Sequence, residues 1–258
     1  MPPHHLTSDL AHALDAAAFA EDRLGFRPDP WQRMVLRSTS QQILLNCCRQ
    51  SGKSKTTAIL ALHQALYSPG ALILLISPTQ RQSKELFAKV VLFLRSLEPA
   101  EVLEEDNRLS CTLANGARIV SLPGDEKTIR GYSGPALIVE DEAARVLDAT
   151  YAAVRPMLAV SHGRLVLMST PSGRRGHFFE AWHGPPVEGW EKIELAAAEC
   201  PRISAEFLAG EQRVLGPIMY EQAYFCAFLD DAMTAFEQDL IAAALTDDFP
   251  PFLEMEAA

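Results

Sequence analysis

The chain has 258 residues, of which 48% are hydrophobic and 22% are charged, and this length and composition predict one large α/β domain with a small appendage. Its formal net charge of −10 argues against a monomer that lives on duplex DNA, so any contact with DNA must come from a local patch or an assembled ring. The sequence has no run of eighteen apolar residues, no leader-like N-terminus and no C-x-x-C pair, so we expect no transmembrane helix, no signal peptide, no disulfide framework and no zinc site, and an intracellular setting.

The N-terminal segment predicts an amphipathic helix from Ser8 to Ala20, with Leu10, Leu14 and Phe19 on its buried side. Two prolines end this helix, and a second, short helix opens at Trp31-Gln32. A glutamine just before a phosphate-binding loop can recognise adenine, because its amide offers both a donor and an acceptor to the base edge. The alternative is a capped turn in which Gln32 is exposed.

The next stretch, from Ile43 to Ser54, has the pattern of a strand, a tight loop and the start of a helix. It resembles G-x-x-x-x-G-K-[ST], except that Cys47 stands at the position of the first glycine. Backbone N–H groups at such a helix start favour an anion, Lys53 would contact the β- and γ-phosphates, and Ser54 would bind Mg²⁺. The alternative is a surface loop with a chance Gly-Lys-Ser.

The middle of the chain continues the α/β pattern. Ala71 to Ile76 is a continuous apolar run, which predicts a buried parallel strand, and a helix follows from about Gln80 to Leu97. From Arg108 to Leu122 the apolar residues alternate around Asn115-Gly116, which predicts a hairpin. A glycine-rich loop from Pro123 to Pro135 then carries Arg130.

A second motif follows this loop. The apolar strand from Ala136 to Glu140 is closed by Asp141 and Glu142. In this position Asp141 would hold Mg²⁺, and Glu142 would orient and deprotonate an attacking water. If the strand pattern continued, Glu140 and Glu142 would point to one face and Asp141 to the other. The alternative is a strand that ends in solvated acids.

The C-terminal third begins with a strand from Arg164 to Met168, followed by Ser169-Thr170-Pro171-Ser172-Gly173. We divide the chain into an ATPase-type core over residues 1–175, a lid over 176–230 and a tail over 231–258. Within the lid, Trp190 to Leu195 is predicted as a lone strand. The acids Asp230, Asp231, Asp247 and Asp248 are too few and too poorly framed by strands for a two-metal nuclease site, so we expect no nuclease domain.

These motifs together resemble the large subunit of the terminases, the DNA-packaging motors of tailed bacteriophages and related gene-transfer particles. The resemblance covers about residues 15–235, and the missing first glycine of the phosphate loop is itself typical of that family. The matching motifs are Trp31-Gln32, Cys48 to Ser54, Ser77-Pro78-Thr79, Arg130-Gly131, Val139 to Glu142, and Ser169 to Gly173.

The resemblance implies a P-loop NTPase fold of the RecA-like, additional-strand type, in which a mostly parallel sheet is sandwiched by helices and a small C-terminal lid follows. It implies that the protein binds ATP and Mg²⁺ and that Glu142 is the catalytic base. Thr170 belongs to a motif that senses the γ-phosphate. Arg130 is a candidate arginine finger that would act on the ATP of a neighbouring subunit, and the alternative is that it is an ordinary loop arginine. Arg49 is the rival candidate, which would act on the ATP of its own subunit. The nucleotide-binding set is Gln32, Arg49, Gln50, Ser51, Gly52, Lys53, Ser54, Lys55 and Thr170, with Lys53 also catalytic and with Ser54 and Asp141 on the metal.

The same resemblance implies that the protein moves double-stranded DNA into a capsid, in the cytoplasm of a bacterial host cell. The expected partners are DNA, the portal protein of the procapsid, the terminase small subunit, a homo-oligomeric ring (a pentamer by resemblance) and a separate nuclease protein, but no membrane. Two alternatives remain open: a superfamily 2-type helicase or remodelling ATPase, which would need a second RecA-like domain, and a non-catalytic terminase-like interaction protein. A small-molecule kinase is a third, for which no acceptor-binding insert is visible.

Overall fold

The computed structural model describes residues 3–97, 103–106, 109–184 and 189–229, and the predicted tail over 231–258 lies outside them. No helix among these residues is long and apolar enough to cross a membrane. The helices are α1 (Pro3–Leu14), α2 (Ala16–Asp22), α3 (Pro30–Arg37), α4 (Lys53–Tyr67), α5 (Gln80–Arg95), α6 (Glu126–Ile129), α7 (Asp148–Ser161), α8 (Gly176–His183), α9 (Ala205–Leu215) and α10 (Pro217–Tyr224). The strands are β1 (Gln42–Cys47), β2 (Leu72–Ser77), β3 (Leu103–Asp106), β4 (Ser110–Leu113), β5 (Arg118–Pro123), β6 (Leu137–Asp141), β7 (Arg164–Ser169) and β8 (Trp190–Leu195).

These eight strands form one sheet in the order β3-β4-β5-β2-β6-β7-β1-β8. The pairs from β5 through to β8 are parallel, whereas β3–β4 and β4–β5 are antiparallel. The central strands are apolar and buried along almost their whole length, because helices cover both faces of a parallel sheet. The predicted hairpin is confirmed by β4 and β5, which adds its own parallel contact with β2.

Successive residues of each strand enter two separate cores. In β1, Ile43 and Leu45 pack into the core beneath α4 and α5, whereas Leu44 packs into the core beneath α7 and α8. Phe178 of α8 is fully buried in the second core. The helices therefore sandwich the sheet, and the carboxyl ends of β1, β2, β6 and β7 meet at one edge, where ligands bind in open α/β sheets.

The predicted strand from Trp190 to Leu195 is confirmed, but the prediction that it stands alone was wrong. This segment is β8, which pairs in parallel with β1 over its whole length, from Gln42 opposite Trp190 to Cys47 opposite Leu195. As an edge strand it is partly exposed on one face, so its sequence lacks the continuous apolar run of the inner strands. The region over 176–230 that was assigned to a lid therefore supplies one strand of the main sheet, and its action as a lid stays a prediction.

The first helix also differs from its prediction. The predicted helix is interrupted at Asp15, which separates α1 from α2. The Asp15 carboxylate accepts hydrogen bonds from the backbone N–H groups of Ala17 (2.9 Å) and Ala18 (3.2 Å) and so caps α2. Phe19 is buried as predicted, but Leu10 and Leu14 are 61% and 79% exposed because α1 ends before α2 turns inward.

Candidate active site

The loop between β1 and α4 is shaped by two residues in the left-handed region. Gln50 has φ = 61°, and Gly52, at the N-cap of α4, has φ = 92°. A Cβ atom on Gly52 would lie 2.9 Å from Gln32 Nε2 and 3.1 Å from Arg202 Nη2, so both the backbone angle and the space favour glycine. The loop therefore presents the N–H groups of a helix N-terminus to the solvent edge of the sheet, as anion-binding loops do.

Lys53, the first residue of α4, is only 7% exposed and points across the end of the sheet. Its Nζ atom lies 3.3 Å from Glu142 Oε1 and 3.3 Å from Thr170 Oγ1. Thr170 in turn donates a hydrogen bond of 3.1 Å to the carbonyl of Cys47. Three motifs that are far apart in sequence thus meet around one ammonium group.

The acidic residues at the end of β6 diverge rather than alternate. Glu142 leaves the strand with φ = 53°, so the predicted common face for Glu140 and Glu142 was wrong. Glu140 is fully buried toward α8, where its Oε1 lies 2.6 Å from His177 Nε2, whereas Glu142 turns to Lys53. Asp141 keeps the opposite face and accepts a hydrogen bond of 3.0 Å from the Glu142 N–H.

Asp141 is a buried carboxylate beside this cluster, with 8% of its surface exposed. Burial raises its pKa to about 6, the neighbouring charge of Glu142 adds to that rise, and the charge of Lys53 opposes it. A carboxylate that is costly to ionise in its own surroundings gains from a nearby cation. Asp141 therefore has the electrostatics of a ligand that a divalent metal ion would stabilise.

An open cleft of about 670 Å³ lies over the loop and collects most of the predicted residues. The predicted residues that line it are Gln32, Arg49, Gln50, Ser51, Gly52, Lys53, Ser54, Lys55 and Glu142. Asp141 and Thr170 are buried in contact with Glu142 and Lys53 but do not line the cleft. The structure thus places one cleft between the loop and the acidic strand end.

Gln32 both caps a helix and lines the cleft, so it has features of the two interpretations that the sequence left open, a capped turn and a nucleotide-facing residue. Its Oε1 accepts a hydrogen bond of 2.9 Å from the Asp29 N–H, which completes a capping box at the start of α3. It is nevertheless buried (1% exposed) and lines the cleft, so it is not the exposed residue of the alternative. Its Nε2 group, beside Gly52, is the part of the amide that faces the loop.

Two arginines of the cleft were not predicted from the sequence. Arg145, in a short 3-10 helix over Ala143–Arg145, donates to Glu142 Oε2 (2.7 Å) and to the carbonyl of Thr170 (3.4 Å). Arg202, between β8 and α9, donates to the Ser51 carbonyl and to the Asp29 carboxylate. Neither arginine belongs to a recognisable motif, so only the folded chain reveals them. The other lining residues that were not predicted are Phe26, Gln82 and Lys89.

Arg130 lies apart from this cleft. It is the C-cap residue of α6, is exposed, and forms an ion pair with Glu126 one turn earlier. It does not line the cleft formed by its own chain. A role for Arg130 in a neighbouring subunit stays a prediction.

The segment after β7 connects the cleft to other elements. Ser169 accepts a hydrogen bond of 3.2 Å from the N–H of Ala144, next to Arg145, and Thr170 contacts Lys53 and the Cys47 carbonyl. The carbonyl of Pro171 accepts a hydrogen bond of 2.8 Å from Gln222 Nε2 in α10. Lys53 is therefore two contacts away from α10, and Glu142 is three.

The residues present fit magnesium and a nucleoside triphosphate. The glycine-dependent loop and Lys53 suit phosphate oxygens, and Ser54 with Asp141 offers the oxygen ligands that Mg²⁺ prefers. Among the described residues there is no group of three or more His, Cys, Asp or Glu side chains that could hold a metal alone. In nucleotide sites Mg²⁺ takes only one or two protein ligands and is otherwise held by phosphates and water.

The comparisons with known proteins point to one family. Residues 44–243 match the family described as terminase large subunit, T4likevirus-type, N-terminal. The terminase large subunit of Thermus phage G20c is 29% identical over 188 residues, which cover 64% of this chain and 39% of that protein. A probable terminase large subunit of Enterobacteria phage P7 is 25% identical over 216 residues, which cover 75% of this chain and 44% of that one. The chain therefore spans less than half the length of these curated relatives.

Solved structures agree on the fold. The large terminase ATPase domain of Thermus phage P74-26 superposes with a TM-score of 0.74 at 22% identity, over 84% of this chain and 100% of that one. The large terminase of another thermophilic bacteriophage, in complex with ADP, superposes with a TM-score of 0.65 at 12% identity, over 78% of this chain and 54% of that one. The predicted P-loop α/β fold is confirmed. Because the family match covers well over half of the sequence, the chain belongs to the terminase large subunit family, in the part described as its N-terminal region.

Proposed function

We propose that this chain is the ATP-hydrolysing motor part of a DNA-packaging machine. It binds ATP with Mg²⁺ in the cleft over the β1–α4 loop and uses hydrolysis to move double-stranded DNA into a viral or gene-transfer-particle capsid. One observation carries the proposal: Lys53 Nζ and Glu142 Oε1 lie 3.3 Å apart in a single cleft large enough for a nucleotide. The ADP and ATP-γ-S complexes of the second thermophilic-phage terminase support nucleotide binding at this fold.

In this proposal each part of the nucleotide has its own partners. The loop from Arg49 to Lys55 surrounds the phosphates, with Lys53 on the β- and γ-phosphates and Ser54 and Asp141 on the metal. Bound Mg²⁺ supplies positive charge where the phosphate oxygens become more negative. Gln32 faces the adenine with its Nε2 group, because its Oε1 already accepts the Asp29 N–H.

Hydrolysis then requires Glu142 to be released from its present partners. Its two carboxylate oxygens are held by Lys53 and Arg145, at 3.3 Å and 2.7 Å. When Lys53 turns to the phosphates, Glu142 loses one of these partners and becomes able to orient and deprotonate water. Thr170 shares Lys53 with Glu142, so it is placed to respond to the same change and to pass it through Pro171 to α10.

The partners follow from the family and remain proposals. We expect double-stranded DNA, the portal protein of a procapsid, a terminase small subunit and further copies of this chain in a ring. We keep a separate nuclease protein and the cytoplasm of the bacterial host as predictions. With a net charge of −10 one chain has no overall attraction for duplex DNA, so in this proposal DNA is contacted by a local basic patch or by an assembled ring.

The ring also gives Arg130 a function. Arg130 is exposed at the end of α6, and its ion-pair partner Glu126 is only half-buried, so the guanidinium can exchange that partner for a neighbouring subunit's nucleotide. An arginine finger supplied in trans accelerates phosphoryl transfer by about 10³–10⁵-fold. Dilute monomer should therefore hydrolyse ATP slowly, and the assembled ring should hydrolyse it fast.

The test is the ATPase rate per subunit against protein concentration, with and without duplex DNA. The variants are Glu142→Ala, Arg130→Ala and, as a matched control, Lys127→Ala, which removes an exposed positive charge from α6 next to Arg130. We expect Glu142→Ala to be inactive at every concentration and Arg130→Ala to remove only the rise with concentration. Equal rates for dilute and assembled protein, unchanged by Arg130→Ala, would refute the trans role. Background turnover by wild type in every assembly state would instead favour the non-catalytic alternative.

A further inference from the structure

We propose that Arg202 is a positioning residue of the nucleotide site, which fixes the orientation of the Ser51–Gly52 peptide in the phosphate loop. The inference rests on the proposed function, since it assigns a further residue to the same cleft. Arg202 follows β8 and precedes α9, and 151 positions separate it from the Ser51 that it contacts. It is the one residue after β7 among the described residues that line the cleft.

The guanidinium of Arg202 joins two structures that a nucleotide must contact. One nitrogen, Nη2, donates to the Ser51 carbonyl in the phosphate loop, and the other, Nη1, donates to the carboxylate of Asp29. Asp29 is the N-cap residue of α3, and its N–H donates to Gln32 Oε1. The two-pronged geometry of arginine thus connects the loop to the segment that carries Gln32.

The contact with the Ser51 carbonyl has a direct consequence for the next N–H group. In a trans peptide the carbonyl and the following N–H point in opposite directions. A Ser51 carbonyl that is turned to Arg202 therefore directs the Gly52 N–H away from the guanidinium. Gly52 caps α4 with φ = 92°, an angle at which the peptide before it can flip because glycine has no Cβ to restrain it. Arg202 supplies from outside the restraint that the glycine lacks.

The packing around the Arg202 guanidinium indicates that its contact with the phosphate loop is well ordered. A Cβ on Gly52 would lie 3.1 Å from Arg202 Nη2, so the guanidinium packs directly on the glycine. On the other side of the same loop, the Arg49 N–H donates a hydrogen bond of 3.0 Å to the carbonyl of Ala223 in α10. The phosphate loop is thus held at both ends of its turn by residues from the region after β8.

The first test measures nucleotide binding by calorimetry in the full chain, with Mg-ATP, Mg-ADP and Mg-pyrophosphate as the ligands. Arg202→Ala should weaken all three by about tenfold, because a hydrogen bond from a charged donor that orders the loop is lost. Arg202→Lys should recover part of the lost affinity, because an ammonium group restores a charged donor but not the two-pronged geometry that contacts Ser51 and Asp29 together. Arg213→Ala is the matched control, because Arg213 is exposed on α9 and its Nε donates within its own helix, to the Ala209 carbonyl at 3.0 Å.

A second variant keeps the test decisive if Arg202→Ala does not fold. Asp29→Asn retains a good N-cap residue but removes the charge that anchors the guanidinium. It should weaken binding by less than Arg202→Ala does, and it should cost less in an Arg202→Lys background than in wild type, because the two residues act as one unit.

The outcomes separate this inference from the proposed function. If wild type binds no nucleotide, the proposed function fails, and the role of Arg202 fails with it. If wild type binds and Arg202→Ala binds all three ligands equally well, only the Arg202 inference is overturned. Loss of ATP and ADP affinity with unchanged pyrophosphate affinity would also overturn it, because the guanidinium would then act on the nucleoside and not on the phosphate loop. A lower melting temperature without any change in affinity would show a merely structural contact.

Discussion

Lys53 and Glu142 form an ion pair of 3.3 Å across the end of the sheet, although they belong to motifs far apart in sequence. The second oxygen of Glu142 is held by Arg145 at 2.7 Å, so both oxygens of the candidate base are engaged in this state. In the proposed function this is the resting arrangement, in which ATP phosphates would compete with Glu142 for Lys53.

This pairing predicts a separation between binding and hydrolysis. Glu142→Gln keeps the shape of the side chain but removes the base, so ATP hydrolysis should fall by about 10²–10⁴-fold. ATP affinity should stay equal or improve, because the amide no longer competes with the phosphates for Lys53. Steady-state ATPase rates and calorimetric ATP titrations measure the two effects. Glu85→Gln on the exposed face of α5 is the control, and a Glu142→Gln enzyme with wild-type turnover would contradict the assignment.

The burial of Asp141 should lower the stability of the ligand-free protein, although the carboxylate is needed for the proposed function. Its folded pKa of about 6 lies above the ordinary value of 3.8, so burying the ionised carboxylate costs free energy of folding at neutral pH. The stability of the ligand-free protein should be highest below pH 3.8 as far as Asp141 is concerned, should fall as the pH rises to about 6, and should then stay constant. Asp141→Asn should stabilise the ligand-free protein at pH 7 by roughly 3 kcal/mol, while ATP hydrolysis is lost.

Urea unfolding of the metal-free protein between about pH 4 and pH 8 measures this effect. Asp9→Asn, on the exposed part of α1, is the matched control and should change neither stability nor activity. If Asp141→Asn were no more stable than wild type at neutral pH, burial of the ionised carboxylate would cost no free energy. The electrostatic argument that a bound metal ion stabilises Asp141 would then fail.

The sequence predicted the central strands and the residues at their carboxyl ends, because both signals are local. Continuous apolar runs fix β1, β2, β6 and β7, and parallel strands bring their ends to one edge whatever their order in the sheet. Lys53, Asp141 and Glu142 each lie at or shortly after such a strand end. Their meeting therefore needed no knowledge of the helices.

The remaining features depend on pairings that no local pattern encodes. β8 joins β1 at the sheet edge, and its half-exposed sequence carries no signal for which strand it pairs with. Arg202 reaches Ser51 across 151 positions, and Arg145 lies in a short 3-10 helix that belongs to no sequence motif. Glu142 departs from the strand pattern because one residue with positive φ is enough to end the alternation.

Gly52 should tolerate no side chain. Gly52→Ala would place a Cβ 2.9 Å from the buried Gln32 amide, at a φ angle that costs an L-residue about 1–2 kcal/mol. We expect nucleotide binding to weaken by at least about tenfold, which corresponds to about 1.4 kcal/mol. Gly210→Ala is the control, because Gly210 lies within α9 with open space around it and the change should stabilise the helix by about 0.5–1 kcal/mol. Equal binding by the two variants would contradict the shape assigned to the loop.

The buried pair of Glu140 and His177 lies behind the site and should hold β6 to α8. Glu140 Oε1 is 2.6 Å from His177 Nε2, and Asp148 Oδ1 is 3.0 Å from His177 Nδ1. Burial raises the pKa of Glu140 against the effect of its bond to His177. Burial lowers the pKa of His177, but hydrogen bonds and charges from Glu140 and then Asp148 more than offset this, so its pKa is raised above 6.5.

Removing the imidazole should therefore destabilise the protein. His177→Gln leaves a buried carboxyl without its cationic partner, which costs about 3 kcal/mol, and Glu140→Gln in the same chain should restore much of that loss.

Because the folded pKa of His177 is raised, its contribution to the free energy of unfolding is fully present below pH 6.5 and is lost as the pH rises through the folded value. Urea unfolding from about pH 5.5 to pH 9 should thus show the largest difference between wild type and variant at the acidic end. His162→Asn is the control, since His162 is exposed with φ = 51°, an angle that asparagine adopts readily. A difference that grew toward high pH would mean that His177 is held neutral, and the charged pair would have to be abandoned.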